Sequence, residues 1–421
     1  MPRLATVQEH HQAQVHAESR RLMTAWMADL ARAARTGEPA ASLMISGNCV
    51  EILRAFDIHP MFPEVTALQM AIRKQSLPMI LSAEQLGYSG DNCAYVKADV
   101  GFMVSGGYGP NSTLPTPRLV LCNYVGCNVY IKWFEHTADY TGGRLFMLDV
   151  PFLRTDRPSD ADVRYVVGQL EELIGICESI TGRRFDIDRL REVLGYAARA
   201  EAAYVRCKDL CKHRPAPFDA YFDAINLMGP INVLRGTREA AEFFERAAAE
   251  FEAMTARNAG PYPDEQFRFI AEGPPPYPYY RSFRDLFAHW GAVAVASTYS
   301  TVGGLWEFGF RHDPARPLES IAEQMLVHSL ANRSLVSRYG QIRRYVEEWD
   351  ADALVIHSIK SCRLYSAGQG DMRDHFTREL HVPTLLVESD LEDPSYYAEA
   401  QMRNRVDAFF EALEHKKLIA G

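Results

Sequence analysis

The sequence predicts an α/β protein in which two doubly wound parallel-sheet domains are joined by a helical segment and preceded by an N-terminal helical arm. Short apolar runs such as "SLMISG", "RLVLCNYVG" and "GRLFMLDVPF" alternate with helix-like segments early in the chain, which is typical of a parallel sheet. The same alternation returns after residue 266. Between these two parts the apolar residues recur at the helical period instead.

Each part has its own pattern. Residues 1–40 carry Leu, Met and Trp at helical spacing among polar residues, which predicts the helical arm. A first α/β domain follows over 41–156. Residues 157–266 contain long periodic segments such as "RYVVGQLEELIGICESI" and form the predicted helical domain. Residues 267–421 form the second α/β domain, with strands in "FRFIAEGPPP", "GAVAVASTY", "ADALVIHSIKSC" and "VPTLLVES". Both sheets are expected to be Rossmann- or flavodoxin-like.

Composition and charge exclude some classes of function. The chain has 421 residues, 45 of them basic and 54 acidic, and a net charge of -9, which argues against nucleic-acid binding and against a polybasic membrane patch. No run approaches the roughly 18 apolar residues that span a bilayer, and the N-terminus lacks the apolar region of a signal peptide. We therefore expect a cytoplasmic protein, in which the eight cysteines are thiols or metal ligands and not disulfides.

Three cysteines stand where predicted strands end or helices begin. Cys127 comes just after the strand of "RLVLCNYVG", and Cys362 ends "ADALVIHSIKSC" in the other α/β domain. Ligands bind in the crevice beyond the carboxyl ends of parallel strands, so these two cysteines occupy equivalent positions. Cys93 lies in "SGDNCAYV", where Ser89 or Asp91 would cap a helix. The N–H groups at helix N-termini favour thiolates and hence metal binding.

Three thiolates that converge from separate segments could hold one iron–sulfur cluster. One iron would then stay open for water or a substrate oxygen. The spacing alone is more typical of three ordinary buried thiols than of cluster ligands. The other cysteines give weaker patterns: Cys122 lies inside a strand, Cys207 and Cys211 are one helical turn apart near His213 and could bind a metal, and Cys49 and Cys177 have no evident partner.

Several common catalytic motifs are absent. The sequence contains no G-x-x-x-x-G-K-[ST], no G-x-G-x-x-G after a strand, no G-x-S-x-G and no H-E-x-x-H. The glycine-rich stretch "VSGGYGPNS" has no lysine and follows no clear strand, which favours a plain loop. We therefore expect that this chain does not bind ATP itself.

The whole chain carries a family resemblance. The segments "ISGNCVEILRAFDIHPMFPE", "CAYVKADVGFM", "GCNVYIKWFEH", "VGGLWEFGFRHDP", "HSIKSC" with "SAGQG", and "VESDLEDPSYY" resemble the 2-hydroxyacyl-CoA dehydratase superfamily, and within it the B-type subunits of class I benzoyl-CoA reductases. The resemblance implies a four-iron four-sulfur (4Fe-4S) cluster held by three cysteines of one subunit. These correspond to Cys93, Cys127 and Cys362, with one iron open.

The resemblance also suggests other site residues. A serine and a glutamate that serve the substrate in the dehydratase branch correspond to Ser46 and Glu64, although a strand-end hydroxyl and an acid at a helix N-terminus would explain them too. His328 departs from the family pattern, and it is either an additional ligand or proton donor or a partly buried helix histidine. Lys360 and Ser361, beside Cys362, either act on the cluster sulfurs or only border the site.

The resemblance implies an iron–sulfur subunit of an ATP-dependent, low-potential aryl-CoA reductase, which passes single electrons to an aromatic acyl-CoA substrate. The implied partners are a homologous second subunit and an ATP-hydrolysing iron–sulfur activator. Tyr124, Trp133 and Trp306 are candidate contacts for the aromatic ring. Three alternatives stay open: a 2-hydroxyacyl-CoA dehydratase that works through a ketyl radical, an electron-relay or structural subunit without a substrate site, and a protein with no cluster.

Overall fold

The computed structural model describes residues 13–45, 47–124, 126–262, 264–301, 304–327 and 332–420, and in this part of the chain two four-stranded parallel sheets form. The first contains β1 (Ala40–Leu43), β2 (His59–Met61), β3 (Leu119–Tyr124) and β4 (Arg144–Asp149), in the order β2-β1-β3-β4. The second contains β5 (Phe267–Glu272), β6 (Ala292–Ser297), β7 (Ala353–Ile359) and β8 (Thr384–Ser389), in the order β6-β5-β7-β8. The predicted fold class is confirmed, and the two sheets share one strand order.

Helices connect and cover these strands. The arm and the first sheet contribute α1 (Ala13–Thr36), α2 (Val50–Ala55), α3 (Pro63–Ile72), α4 (Ser76–Gln85), α5 (Ala94–Phe102) and α6 (Asn128–Thr141). The middle of the chain forms α7 (Asp160–Thr181), α8 (Ile187–Leu210), α9 (Ile225–Val233) and α10 (Arg238–Ala256). The rest forms α11 (Tyr280–Ala288), α12 (Pro317–Leu326), α13 (Leu335–Glu348), α14 (Arg363–Ser366), α15 (Gln369–Asp374) and α16 (Glu399–Ala420).

The long middle helices start at capping residues. Ser159 and Asp162 form a reciprocal capping box at the start of α7, and the side chains of Asp186 and Thr237 accept N–H groups at the starts of α8 and α10. Such caps satisfy donors that have no partner inside the helix. α8 and α10 pack along each other, and α12 packs against α7 within the core of the first sheet. The division of the chain at residues 156 and 266 stays a prediction.

Two strands of the second sheet are buried on both faces. Every residue of β5 and β6 is buried, which explains why both are rich in apolar residues. Gly273 follows β5 with φ of 98°, and a Cβ atom there would lie 2.4 Å from the carbonyl oxygen of His357 in β7. Only glycine allows this turn, so it fixes the path by which the chain leaves the sheet at its carboxyl end.

A buried ionic network joins the first sheet to the middle helices. Arg235, which follows α9, donates from Nε to Glu51 Oε1 of α2 at 2.5 Å. His312 lies 3.7 Å from the same carboxylate oxygen, and its Nδ1 is hydrogen-bonded to Glu201 of α8. All four side chains are buried. The carboxylates of Glu201 and Glu51 raise the pKa of His312 against the opposing effect of burial.

The structure also addresses membrane insertion. Within the described ranges, no helix combines the length and the apolar character that crossing a bilayer requires.

Replacing Gly101 in α5 by alanine should lower the free energy of unfolding by about 1–3 kcal/mol, the usual cost of overpacking. The added Cβ would lie 2.0 Å from the carbonyl oxygen of Met79, so α4 and α5 would have to separate. Gly168→Ala in α7 is the matched control, because its Cβ meets nothing within 4 Å. There we expect a gain of about 0.5–1 kcal/mol. Urea unfolding of both variants measures the difference, and equal effects would contradict the prediction.

Candidate functional site

A cavity of about 310 Å³ lies between the carboxyl ends of the two sheets. Segments that follow strands of both sheets reach it, among them Ile45 after β1, Cys127 after β3, Pro274 after β5 and Cys362 after β7. β1 and β3 are neighbours in the first sheet, as β5 and β7 are in the second, so the cavity lies at the point where the winding direction changes. Ligands of doubly wound folds bind at such points. The wall is mostly apolar.

Cys93, Cys127 and Cys362 all line this cavity, and each stands immediately before a helix: α5, α6 and α14, respectively. The helix that follows turns backbone N–H groups toward each sulfur. These donors belong to Val96 for Cys93, Val129 and Tyr130 for Cys127, and Tyr365 for Cys362. Backbone N–H groups that point at sulfur are a common feature of iron–sulfur sites.

The structure corrects two expectations about these cysteines. The N-cap residue of α5 is Cys93 itself; neither Ser89 nor Asp91 caps this helix. The N–H groups do lower the thiol pKa values, but burial raises them by more, so that the pKa of Cys93 lies well above its usual value and that of Cys362 is about 12. Burial raises the pKa of Cys127 as well. Because metals bind thiolates, binding at this site must release protons.

The three cysteines of the cavity wall lie within electrostatic range of one another. They are free thiols, and the charges of Cys127 and Cys362 raise the pKa of Cys93, which places the three sulfurs in electrostatic contact. Among the described residues, no group of three or more His, Cys, Asp or Glu side chains is arranged to hold one metal ion. A cluster distributes its ligands over several irons, so its ligands stand further apart. The same finding leaves Cys207, Cys211 and His213 without an arrangement for a metal.

The loop that carries Cys362 also holds the start of α5. The Ser361 hydroxyl accepts the N–H of Ala94 at 3.1 Å, and the Ser361 N–H donates to Asp390 Oδ2 at 2.9 Å. Ser361 thus ties Cys93 of one half to Cys362 of the other. Lys360 lies apart from them: half-exposed, it forms an ion pair with Glu388 at 2.9 Å. Of the two polar neighbours, only Ser361 contacts the helix that begins at a cavity cysteine.

Glu64 lies in the same cavity wall as the cysteines. Its Oε2 accepts the N–H of Ile45 at 2.6 Å, and its Oε1 accepts the hydroxyl of Tyr130. Burial raises the pKa of Glu64, while these two hydrogen bonds lower it. Ser46 and His328 lie outside the described residues, so their predicted roles stay predictions.

Five tyrosines in the wall were missed by the sequence analysis. They are Tyr95, Tyr130, Tyr277, Tyr299 and Tyr365. Tyr95, Tyr130 and Tyr365 lie two or three residues after a cavity cysteine, which is the signal that could have identified them. The rings chosen from the sequence lie elsewhere, since none of them is among the described residues of the cavity wall. They are Tyr124, Trp133 and Trp306.

Trp133 has a supporting role instead. Its indole Nε1–H donates to Asp99 Oδ2 at 2.8 Å, and Tyr108 donates to Asp99 Oδ1 at 2.8 Å. Asp99 is buried in α5 and Trp133 in α6. The bond therefore fixes the two helices that begin at Cys93 and Cys127 against each other.

Replacing His357 should make the free energy of unfolding depend less on pH in the acid range. His357 Nδ1 faces the Pro274 carbonyl at 2.5 Å, so it carries the proton, and Nε2 accepts from the Ser389 hydroxyl at 2.6 Å. Burial lowers its pKa from 6.5 to about 4. Between these two pH values only the unfolded state binds a proton here, so stability falls as the pH is lowered through this window.

The loss amounts to about 3 kcal/mol over the whole window. Urea unfolding of the wild type and of His357→Gln measures this loss. The two measurements are made at about pH 7 and about pH 4.5, which span most of the window. The stability difference between the two proteins should shrink at the lower pH, and a constant difference would contradict the assignment.

Comparison with known proteins identifies the family. The family model described as "2-hydroxyglutaryl-CoA dehydratase, D-component" matches residues 46–413. The B subunit of benzoyl-CoA reductase from Thauera aromatica is 38% identical over 391 residues, 91% of this chain and 90% of that protein. The (R)-phenyllactyl-CoA dehydratase alpha subunit of Clostridium sporogenes is 27% identical over 370 residues, 87% of this chain and 88% of that protein. The chain therefore belongs to the family of 2-hydroxyacyl-CoA dehydratase and benzoyl-CoA reductase subunits, as its sequence resemblance predicted.

Proposed function

We propose that this chain is the iron–sulfur subunit of an ATP-dependent, low-potential reductase of aromatic acyl-CoA thioesters of the benzoyl-CoA type. The observation that carries the proposal is the convergence of Cys93, Cys127 and Cys362, from three separate segments, on one apolar cavity. The similarity to the B subunit of benzoyl-CoA reductase along nearly the whole chain supports the choice of substrate.

Under this proposal the three cysteines hold a 4Fe-4S cluster with one open iron. When bound, the cluster would supply single electrons to the acyl thioester. The protein itself would bind the substrate and exclude water. The wall is formed largely by apolar side chains such as Met23, Val65 and Leu68 together with tyrosine rings, so it would take up an aryl group and keep water out. In a site without water, charge on the substrate interacts more strongly with the surrounding dipoles.

Glu64 and Tyr130 form the polar part of the wall beside Cys127. Glu64 is held by the Ile45 N–H, so its carboxyl group has one fixed position at the end of β1. In the proposed reaction it orients the thioester end of the substrate and, with Tyr130, holds a proton near it.

The proposal includes two partners. The similar proteins are named as a B subunit and as alpha subunits, which supports a second, homologous subunit. Transfer of one electron to an aromatic thioester is strongly unfavourable, so it needs a driving reaction. Since the sequence lacks the phosphate-binding motif G-x-x-x-x-G-K-[ST], ATP hydrolysis would take place on a separate iron–sulfur activator that delivers the electrons.

Dehydration of a 2-hydroxyacyl-CoA through a ketyl radical is the second candidate function. One observation favours it: a buried carboxyl group, Glu64, lies in the cavity of the cysteines, where it could serve acid–base steps. Relatives named as dehydratases share 26% to 31% identity with the chain. An electron-relay subunit without a substrate site is a third possibility.

Counting electrons distinguishes the two reactions. The complex, purified anaerobically with its activator, is given ATP, a limited amount of reductant and either benzoyl-CoA or a 2-hydroxyacyl-CoA. A reductase consumes electrons in proportion to product, whereas a dehydratase needs only catalytic amounts. A change in the cluster spectrum of this subunit on addition of substrate excludes the relay. Iron and acid-labile sulfide near zero, with the three cysteines intact, would overturn the proposal.

A further inference from the structure

Three tyrosines from three segments meet at the cavity wall. Tyr95 belongs to α5, Tyr277 to the turn after β5 and Tyr299 to the turn after β6, and all three line the cavity. The Tyr277 hydroxyl donates to the Tyr299 oxygen, and the Tyr95 hydroxyl is hydrogen-bonded to the same oxygen. Tyr299 is thus the centre of a hydroxyl cluster.

With these two hydrogen bonds in place, the O–H group of Tyr299 is still free to donate. A phenol oxygen accepts hydrogen bonds through its lone pairs and donates through one O–H. Because Tyr277 and Tyr95 both bond to the oxygen, the proton of Tyr299 remains available to whatever fills the cavity. Glu64 differs in this respect, since both of its oxygens already accept hydrogen bonds.

A buried acid lies behind the tyrosines. Glu392 is fully buried, and neither of its carboxyl oxygens has a hydrogen-bond partner among the described residues. It follows Leu391, a residue of the cavity wall whose carbonyl oxygen accepts the N–H of Tyr277 at 3.1 Å. The backbone carbonyl of Glu392 accepts the hydroxyl of Ser76 at 2.9 Å, so its position is fixed.

The surroundings of Glu392 favour its protonated form. Burial and the neighbouring Asp390 and Asp393 raise its pKa well above the usual value of a glutamate. Its carboxyl group is close enough to Tyr95 and Tyr299 to influence the pKa of both. A buried, neutral carboxyl group that nothing else in the described structure uses is a store for one proton.

We propose that Tyr299 donates a proton to the reacting substrate in the cavity, and that Glu392, buried behind the tyrosines, is the store from which that proton is restored. The inference rests on the proposed function. Either reaction of that proposal needs a proton in a site closed to water: ring reduction adds protons to carbon, and dehydration protonates the departing hydroxyl group.

The step balances in protons and electrons. The activator supplies the electron, and the O–H bond of Tyr299 breaks as a new bond from hydrogen to the substrate forms. The O–H bond of Glu392 then breaks, the hydroxyl of Tyr299 is restored, and Glu392 is left as a carboxylate. After product leaves, Glu392 takes up one proton from bulk solvent, which returns the site to its starting state.

Tyr299→Phe tests the donor in the intact complex with its activator. General-acid catalysis contributes about 10²–10⁴-fold, so kcat should fall about 100-fold or more, and the solvent deuterium isotope effect on kcat should change. Iron content and the cluster spectrum should match the wild type. Tyr262→Phe is the control, because Tyr262 is a buried tyrosine that is not among the described residues of the cavity wall. A Tyr299→Phe enzyme as fast as this control would overturn the inference.

Glu392→Gln tests the proton store. The first turnover should proceed at the wild-type rate, because Tyr299 still carries its proton, and later turnovers should be about 100-fold slower. Glu392→Asp should recover most of the loss. A misfolded wall would slow the first turnover as well, and that result would overturn the role of Glu392.

Infrared spectroscopy tests the same residue without turnover. The difference spectrum between the wild type and Glu392→Gln at neutral pH should contain the carbonyl stretch of one buried protonated carboxyl group. An identical spectrum in both proteins would overturn the proton store. Absence of turnover in the wild type with every thioester would instead overturn the proposed function, so the two failures can be told apart.

Discussion

Cys362→Ser protein, purified without oxygen, should contain at least about 10-fold less iron and acid-labile sulfide than the wild type. Loss of groups that only support metal ligands typically costs about 10–100-fold in affinity or activity, and loss of a ligand should cost no less. Cys362 is one of three cysteines in the cavity, so two ligands would remain. Activity with any acyl-CoA thioester should fall with the iron.

Cys177→Ser is the matched control for this change. Cys177 is fully buried in α7 and is not among the described residues of the cavity wall, so its replacement should leave the iron content unchanged. Circular dichroism of both variants checks that each is folded. Wild-type amounts of iron and sulfide in Cys362→Ser, as well as in Cys93→Ser and Cys127→Ser, would remove the basis of the proposed function.

Arg235→Met should lower the free energy of unfolding by about 3–5 kcal/mol, because it leaves a buried carboxylate without its partner. Arg235 and Glu51 are both fully buried and 2.5 Å apart, and the pair joins the segment after α9 to α2. Without the guanidinium, Glu51 would share the positive charge of His312 with Glu201.

Two comparisons make this prediction specific. Arg199→Met removes one partner of an exposed ion pair with Glu245 at 2.9 Å, and it should cost no more than about 1 kcal/mol. The double variant Arg235→Met with Glu51→Gln removes the stranded charge, so it should be more stable than Arg235→Met alone. Urea unfolding of the wild type and these variants measures the differences. A double variant that is no more stable would mean that Arg235 acts by packing against Trp306 and not by charge.

Most of the architecture could be predicted from the sequence because the fold has strong local signals. β6 is a continuous apolar run that begins directly after Gly291, and α7 carries both helical periodicity and a capping box. The strand order could not be predicted, because it depends on which strands pair across long stretches of sequence. Nor does the sequence signal that α12 packs within the core of the first sheet.

Only part of the candidate site could be predicted from the sequence. The positions of Cys127 and Cys362 at strand ends follow from chain order alone. The pKa values of the cysteines could not be predicted, since they depend on burial in the assembled cavity. The partner of Ser361 is 267 residues away, and the cluster around Tyr299 joins three distant segments. Such contacts leave no trace in local spacing.

The hydrogen bond between Ser361 and Ala94 has a consequence for the order of events during synthesis. Cys93 and Cys127 leave the ribosome long before Cys362, and N-terminal parts of a chain generally fold first. The third cysteine reaches the cavity only after the second sheet has formed, since β7 must pair with β5 to place it. Contacts of such large sequence separation form slowly. Under the proposed function, cluster insertion should therefore be the last step of maturation, and iron incorporation would report that both sheets have formed.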